Sequence, residues 1–254
     1  RARGLLGDDI LGSGFACDLE VRAIPGSLVA GEETALIRVL EERQSLPYLR
    51  FDYPAVKGLH SKPTLVNNVE TLANVSVILQ EETSAARAKA LESGGTKIVT
   101  LTGALSQECI VEIPLGTTIG ALLEAVAGDE VSAAQGVASG ASAAGLGIKA
   151  VQFGGPVGAF FAGASLATPI TYEDLEAAGS VMGSATLRVF GGTPGGSGAL
   201  CAVELARDTL AYLHEESCGI CTACREGALQ LTEMLDDLVE SRAKPEDRDL
   251  MLEL

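Results

Sequence analysis

The sequence predicts an α/β fold, on three observations. Apolar residues recur at helical spacing in separate stretches near both ends of the chain. Between them, two segments rich in β-branched residues, Lys97 to Thr102 and Cys109 to Ile113, read as the strands of a hairpin. Hydrophobic residues fill 47% and charged residues 20% of the 254 positions, a balance that excludes wholesale disorder.

The elements follow in order across three composition zones, 1–95, 96–170 and 171–254. In the first, Leu19 to Val29 is mostly apolar and is expected to hold a strand. Gly31-Glu32-Glu33-Thr34 then opens an amphipathic helix carrying Leu36, Ile37, Val39 and Leu40 and ending near Glu42-Arg43. Pro47, Pro54 and Pro63 punctuate an irregular stretch. A second helix is expected from Asn67 to about Thr83, with Val69, Leu72, Ala73, Val75 and Leu79 near helical spacing. Both helix starts follow loops, where backbone amides lack intrahelical partners. In the second zone, Pro114-Leu115-Gly116 turns the chain after the hairpin. Thr117 is expected to cap a helix carrying Ile119, Leu122, Leu123 and Val126. Strand, strand and helix at this spacing suit a β-grasp-like (ubiquitin-like) module, and 132–147 reads as a loop. The third zone reads as helical. Thr171-Tyr172-Glu173-Asp174 looks like a capping sequence, Gly191 to Gly198 is a glycine-rich break, and helices follow at Ala202 to His214, through Ala228, Leu231, Leu235 and Leu238, and from Glu246 onward.

Composition excludes several functions. Acidic residues outnumber basic ones 34 to 18, for a formal charge of −16. This disfavours nucleic acid and anionic membranes, which require clustered Lys and Arg. Small anions remain open, because local backbone amides hold them even in an acidic protein. Arg1-Ala2-Arg3-Gly4 does not lead into a sustained apolar run of the secretory type. Gly136 to Ile170 carries only Lys149 as a charge, but its glycines, alanines and prolines suit packed loops and short strands rather than a membrane span.

The chemistry concentrates in the cysteines. Cys17, Cys109 and Cys201 stand apart, and Cys201 is expected to be a buried free thiol before a helix. Cys218, Cys221 and Cys224 crowd into seven residues, the pattern of a metal site in a reducing compartment rather than of a disulfide framework. Cys-x2-Cys-x2-Cys wraps three thiolates around one compact centre, and cubane iron–sulfur clusters often take three ligands from such a run and a fourth from afar. Gly219 lets the backbone bend closely, and Arg225 with nearby amides offsets cluster charge. Two readings compete: zinc with His214 as fourth ligand, and three cysteines without metal. His60 and His214 are otherwise assigned structural or surface roles.

The run Glu216-Ser217-Cys218-Gly219-x-Cys221-x-x-Cys224-Arg225-Glu226-Gly227 resembles the cluster motif of the NADH-oxidising flavoprotein (51 kDa) subunit of respiratory complex I and its relatives in NAD-linked hydrogenases and formate dehydrogenases. Gly31-Glu32-Glu33-Thr34-Ala35-Leu36 is similar to a second family block. Lys62-Pro63-Thr64-Leu65-Val66-Asn67-Asn68-Val69-Glu70-Thr71-Leu72-Ala73-Asn74-Val75 is similar to a third. Tyr172-Glu173-Asp174-Leu175 with Met182-Gly183-Ser184 agrees as well. The blocks stand in the family's order through nearly the whole chain.

The resemblance implies a partial Rossmann-like domain for FMN and NAD(H) over 1–95, a β-grasp insert over 96–170, and an incomplete helical domain holding a [4Fe-4S] cluster over 171–254. It places flavin contacts on Gly31, Glu32, Glu33, Asn67, Asn68 and Thr71, with Glu33 as the catalytic candidate. It sets Arg50 and Tyr53 near the dinucleotide and makes Cys218, Cys221 and Cys224 the cluster ligands. Taken singly, Glu32 and Glu33 read equally as first-turn helix acids, Asn67 as an N-cap and Tyr53 as packing.

Three departures qualify the match. The family's glycine-rich phosphate loop is expected upstream of Arg1, Gly12-Ser13-Gly14 reading as a turn. The fourth cysteine ligand is expected downstream of Leu254, so the chain reads as an internal piece. Leu28 stands where the family has a tyrosine lining the flavin pocket.

The function implied is electron input. Hydride passes between NAD(H) and FMN, and single electrons leave through the cluster to a partner. The implied partners are a small [2Fe-2S] thioredoxin-like subunit and a larger iron–sulfur or catalytic subunit. The implied location is cytoplasmic, or peripheral on the cytoplasmic side of a membrane complex without insertion. The alternative is a non-catalytic cluster- or zinc-bearing assembly module with a decayed flavin site.

Overall fold

Apolar side chains that alternate along a strand and repeat at three and four along a helix can share one core, and between Val99 and Val189 they do. The computed structural model describes residues 4–24, 26–49, 51–79, 94–105, 107–134, 148–191 and 201–253, with side chains undescribed for 127–134. Arg50, most of the glycine-rich break and the 135–147 part of the expected loop lie outside the described residues. The chain divides into two compact units: residues 1–66 with 216–221, and residues 67–215 with 222–254.

The second unit is built on a five-stranded mixed sheet. Strands β1 (Thr96–Gly103), β2 (Cys109–Pro114), β3 (Ile148–Phe153), β4 (Phe160–Phe161) and β5 (Thr186–Gly191) lie in the order β2-β1-β5-β3-β4. The expected hairpin is present: β1 and β2 pair antiparallel, with Val99 opposite Val111. Strand β5 falls in the zone expected to be helical. It is central, pairing parallel with β1 and antiparallel with β3. A boundary at 170 would therefore cut the sheet. Its residues Leu187 and Val189 are buried while Arg188 between them is exposed, a two-residue alternation too short to stand out from sequence.

The core gathers Val99 and Leu101 from β1, Val151 and Phe153 from β3, and Leu187 and Val189 from β5. Helix α3 (Ile119–Ala134) lays Ile119, Leu122 and Leu123 on it, and Val126 packs at its edge. Its cap is one residue later than expected. The Thr118 hydroxyl accepts from the Ala121 amide at 3.1 Å, whereas Thr117 donates to the Pro114 carbonyl at 2.7 Å. The short helix α4 (Tyr172–Ala177) is capped as expected, the Thr171 hydroxyl accepting from the Asp174 amide at 3.0 Å. It buries Leu175. Two loops cross so tightly that a side chain would collide. At Gly183 (φ 48°) an added Cβ would lie 2.0 Å from the Gly154 carbonyl oxygen. Ser180 secures the same corner, accepting from the Ala159 amide and donating to the Phe153 carbonyl, both at 2.9 Å.

Three more helices match their expected positions: α5 (Ala202–Glu215), α6 (Thr222–Val239) and α7 (Pro245–Glu253). Helices α5 and α6 pack on each other, and Arg207 reaches Asp236 across the pair at 3.5 Å. Cys201 precedes α5 as a free thiol, but half-buried rather than buried. Helix α2 (Val69–Ile78) is shorter at its start than expected, because Asn68 rather than Asn67 caps it.

The first unit departs most from the sequence reading. Its helix α1 (Glu33–Leu40) is where the periodicity puts it and buries Thr34, Ala35 and Ile37. Among the described residues of Leu19 to Val29 the expected strand does not form. Leu19 and Val21 are 72% and 87% exposed, and Val29–Gly31 forms a 3-10 turn. A strand requires a ladder partner. Among the described residues of this unit the β-pairing is a single bridge, Gly7 to Cys17. The described residues therefore display no Rossmann-like sheet in this part of the chain. Gly12-Ser13-Gly14 is the expected turn, the Gly14 amide donating to Asp9 at 2.7 Å. Among the described residues, no helix is long and apolar enough to cross a membrane.

Candidate functional site

Two helix starts carry the residues singled out for a nucleotide. At α1, Glu32 serves as N-cap. Its carboxylate accepts from the Thr34 and Ala35 amides at 2.8 and 3.0 Å, and from the Thr34 hydroxyl. The buried Thr34 oxygen in turn accepts from the Tyr48 amide at 3.1 Å. Glu32 thus shapes the turn that presents Gly31 and Glu33. Glu33 is half-buried in the first helical turn, and Gly31 is exposed with open space where a Cβ would stand. Tyr53 belongs to the same unit and is 72% exposed, so it is not a core residue of that unit. In the proline-punctuated stretch, His60 is 63% exposed in its side chain, and its backbone amide donates to Glu41 at 2.8 Å.

At α2, in the second unit, Asn67, Asn68 and Thr71 are all exposed. The Asn68 side-chain oxygen Oδ1 accepts from the Glu70 amide at 2.8 Å, so capping falls on Asn68. Glu70 ties this helix start to the sheet. Its carboxylate pairs with Lys97 and accepts from the Ile98 amide at 2.8 Å, with side chains 19% and 14% exposed for Glu70 and Lys97. Burial pushes the Glu70 carboxyl up, but the Lys97 hydrogen bond, the Ile98 amide and the Lys97 charge outweigh it and hold it below the usual carboxylate range. A carboxylate held down in this way stabilises the fold above its ordinary range, and the stabilisation is lost as pH falls through the folded value. Glu70→Ala is therefore expected to cost about 2 kcal/mol at neutral pH, the worth of a charged hydrogen-bond pair. The difference from the parent should shrink in acid, as followed by urea unfolding at pH 7 and pH 3.5. A constant difference would rule out the ionised pair.

The cysteine run begins where α5 ends at Glu215. Residues 216–221 belong to the first unit, together with Gly31–Glu33, and α6 opens at Thr222. Gly219 takes φ 73°, in the left-handed region that glycine favours, with nothing within 4 Å of where a Cβ would stand. Its amide donates to the Ser217 hydroxyl at 3.2 Å. Cys224 sits in the first turn of α6, where the positive end of the helix dipole favours an anionic ligand. All three cysteines stand outside any disulfide, Cys218 half-buried and Cys221 and Cys224 exposed.

The chemistry of this donor set fits a cluster: three thiols outside any disulfide within seven residues. Among the described residues, no three His, Cys, Asp or Glu side chains are already drawn together as a metal-holding set. His214 lies in the last turn of α5, and its Nδ1 is buried with no hydrogen-bond partner among the described residues. Arg225 pairs with the adjacent Glu226 at 2.8 Å.

Two features escaped the sequence reading. One is the Glu70–Lys97 pair. The other is a bond from the Leu28 amide to the Glu216 carboxylate at 2.8 Å, between positions 188 apart. Both acids stand inside recognisable blocks, but nothing in a linear sequence names a distant partner.

Residues 204–254 match the family model described as NADH-ubiquinone oxidoreductase-F iron-sulfur binding region. The whole chain aligns with the NADP-reducing hydrogenase protein HndC of Solidesulfovibrio fructosivorans at 35% identity, covering 48% of that protein. It also aligns over its full length with an NADH-quinone oxidoreductase component of Mycobacterium bovis at 36% identity, covering 53% of it. The chain thus spans about half the length of these relatives. Among solved structures, an NAD+-reducing [NiFe]-hydrogenase in the H2-reduced state superposes with a TM-score of 0.67 at 26% identity, over 93% of this chain and 36% of that one.

Proposed function

We propose, from the premise that this chain belongs to the NADH-ubiquinone oxidoreductase-F family through its iron–sulfur binding region, that it is part of an electron-input subunit. Hydride passes between NAD(H) and FMN, and single electrons leave through a [4Fe-4S] cluster to a partner subunit. The observation that carries this reading is the membership of Cys218 and Cys221 in the same compact unit as Gly31–Glu33. Their shared unit supports coupling of the two chemistries that such a subunit requires.

Bound FMN supplies the conversion of a two-electron donor into one-electron steps. The chain's residues supply the setting. Glu32 holds the α1 turn, and Gly31, Glu32 and Glu33 would hold the flavin there, with Glu33 as the catalytic candidate. Asn67, Asn68 and Thr71 border the N-terminus of α2, a favourable place for a phosphate. Arg50 and Tyr53 serve the dinucleotide. Cys218, Cys221 and Cys224 would hold the cluster as thiolate ligands, with the Gly219 bend between the first two.

The relatives are named as subunits of larger enzymes, which supports a multi-subunit setting. The partners we propose are a small [2Fe-2S] thioredoxin-like subunit and a larger iron–sulfur or catalytic subunit. The location is cytoplasmic, or peripheral on the cytoplasmic side of a membrane complex. For the domains we propose a flavin and dinucleotide part over 1–95 and a β-grasp-like part beginning at 96. That part extends past 170 to include β5, and a helical cluster-binding part follows it.

The test is the intact polypeptide bearing these residues, isolated without oxygen. Bound FMN, about four iron atoms per chain and bleaching by NADH are expected. A colourless protein with stoichiometric zinc would replace this reading with the assembly-module alternative. Glu33→Gln is expected to slow flavin reduction by NADH about tenfold, as loss of an orienting group does, while iron content stays at the parent level. Equal rates in the two proteins would remove Glu33 from the site.

A further inference from the structure

We propose that Glu216 is a positioning residue. Its carboxylate docks the cysteine run onto the turn that leads into Gly31–Glu33, and so sets how the cluster faces the flavin site. The inference rests on the function proposed above and deepens it.

The argument begins with the turn. Leu28 opens the 3-10 turn Val29–Gly31, and its amide is one of the donors that a helical start leaves without an internal partner. Helices α1, α2 and α4 solve that problem locally, with Glu32, Asn68 and Thr171 as caps. Here the acceptor is instead Glu216, at 2.8 Å and 188 positions away, two residues before Cys218. The bond is charge-assisted and joins two segments of one compact unit.

Its effect passes on through a short series of backbone contacts. The Leu28 carbonyl accepts from Gly31 at 3.3 Å and the Val29 carbonyl from Glu32 at 3.0 Å. The Glu32 carboxylate then caps α1. On the other side, Ser217 and Gly219 close their own turn next to Glu216. A carboxylate at this position therefore ties the flavin-side turn to the cluster-side turn. A local cap such as the serine or aspartate common at helix starts would satisfy the same amide but leave the two turns unconnected.

The experiment compares parent, Glu216→Ala and Glu216→Gln in the intact holoprotein. Glutamine keeps an acceptor oxygen without the charge. Three quantities are read: hydrogen exchange at the Leu28 amide, the rate of flavin bleaching by NADH, and the rate at which NADH develops the cluster's paramagnetic signal. Dithionite, which reduces the cluster directly, serves as control. Glu216→Ala is expected to lose Leu28 protection and to slow the NADH-driven cluster signal about tenfold or more, the scale of a small misplacement. Flavin bleaching and the dithionite signal should match the parent, and Glu216→Gln, which keeps the acceptor without the charge, should fall between parent and Glu216→Ala in Leu28 protection and cluster rate. If Glu216→Ala sheds its iron while Glu216→Gln keeps it, docking through the hydrogen bond is again supported. Parent-level Leu28 protection or a parent-level cluster rate in Glu216→Ala overturns the proposal, as does equal failure of both variants. A parent protein lacking flavin and iron overturns the function itself and is read before any variant.

Discussion

Cys221→Ala, in the intact polypeptide prepared without oxygen, is expected to lose the paramagnetic signal of the reduced cluster and most of its iron. Cys221 is the central thiol of the run, exposed and outside any disulfide, directly before α6. A cluster left with two thiolates from this run has an open corner on iron. Losing even an outer-shell partner weakens metal binding about 10–100-fold, and losing a ligand costs more. The control is Cys17→Ala. Cys17 is also exposed and free, but it lies on the isolated bridge to Gly7 rather than in the run, so its removal should leave iron untouched. Iron and signal at parent levels in Cys221→Ala would remove this residue from the ligand set. The α5–α6 pair should survive the substitution, since it packs through its own faces.

Phe153→Ala is expected to destabilise the second unit by about 3–5 kcal/mol, the range for truncating a buried aromatic. Phe153 is fully buried at the end of β3 and belongs to the main core. Its backbone is also committed, the amide donating to Ala159 at 3.2 Å and the carbonyl accepting from Ser180. The cavity therefore has little freedom to collapse. For a chain of this size a loss on that scale lowers the thermal midpoint by about 10 °C. Ile98→Ala is the comparison: Ile98 lies on β1 but is 48% exposed, so it should cost far less. Equal midpoints for the two variants would contradict the core described.

Much of the local structure was legible. Helix α1 follows from Leu36, Ile37, Val39 and Leu40 behind acidic first-turn residues, and α5 and α6 follow from their apolar stripes. The hairpin follows from two neighbouring β-branched segments. These signals are local because hydrogen bonds within a helix or a hairpin join near neighbours. Strand β5 was missed because its six residues acquire meaning only beside β1 and β3, which lie far away in sequence. The strand expected between Leu19 and Val29 failed for the converse reason: apolar residues alone do not make a strand where no neighbour offers a ladder. The caps shifted by one residue, to Asn68 and Thr118, because adjacent Asn or Thr pairs differ only in where the backbone turns.

The candidate site divides in the same way. The chain's own letters determined the kind of chemistry, since three cysteines in seven residues, a glycine bend and two carboxylates at a helix start need no distant partner to be recognised. Tertiary structure decided what those groups touch. It paired Glu70 with Lys97 and set Glu216 against the Leu28 amide. The reason is physical: a residue's chemical capacity is carried by its side chain, whereas its partner is chosen by the folding of segments that the sequence keeps far apart.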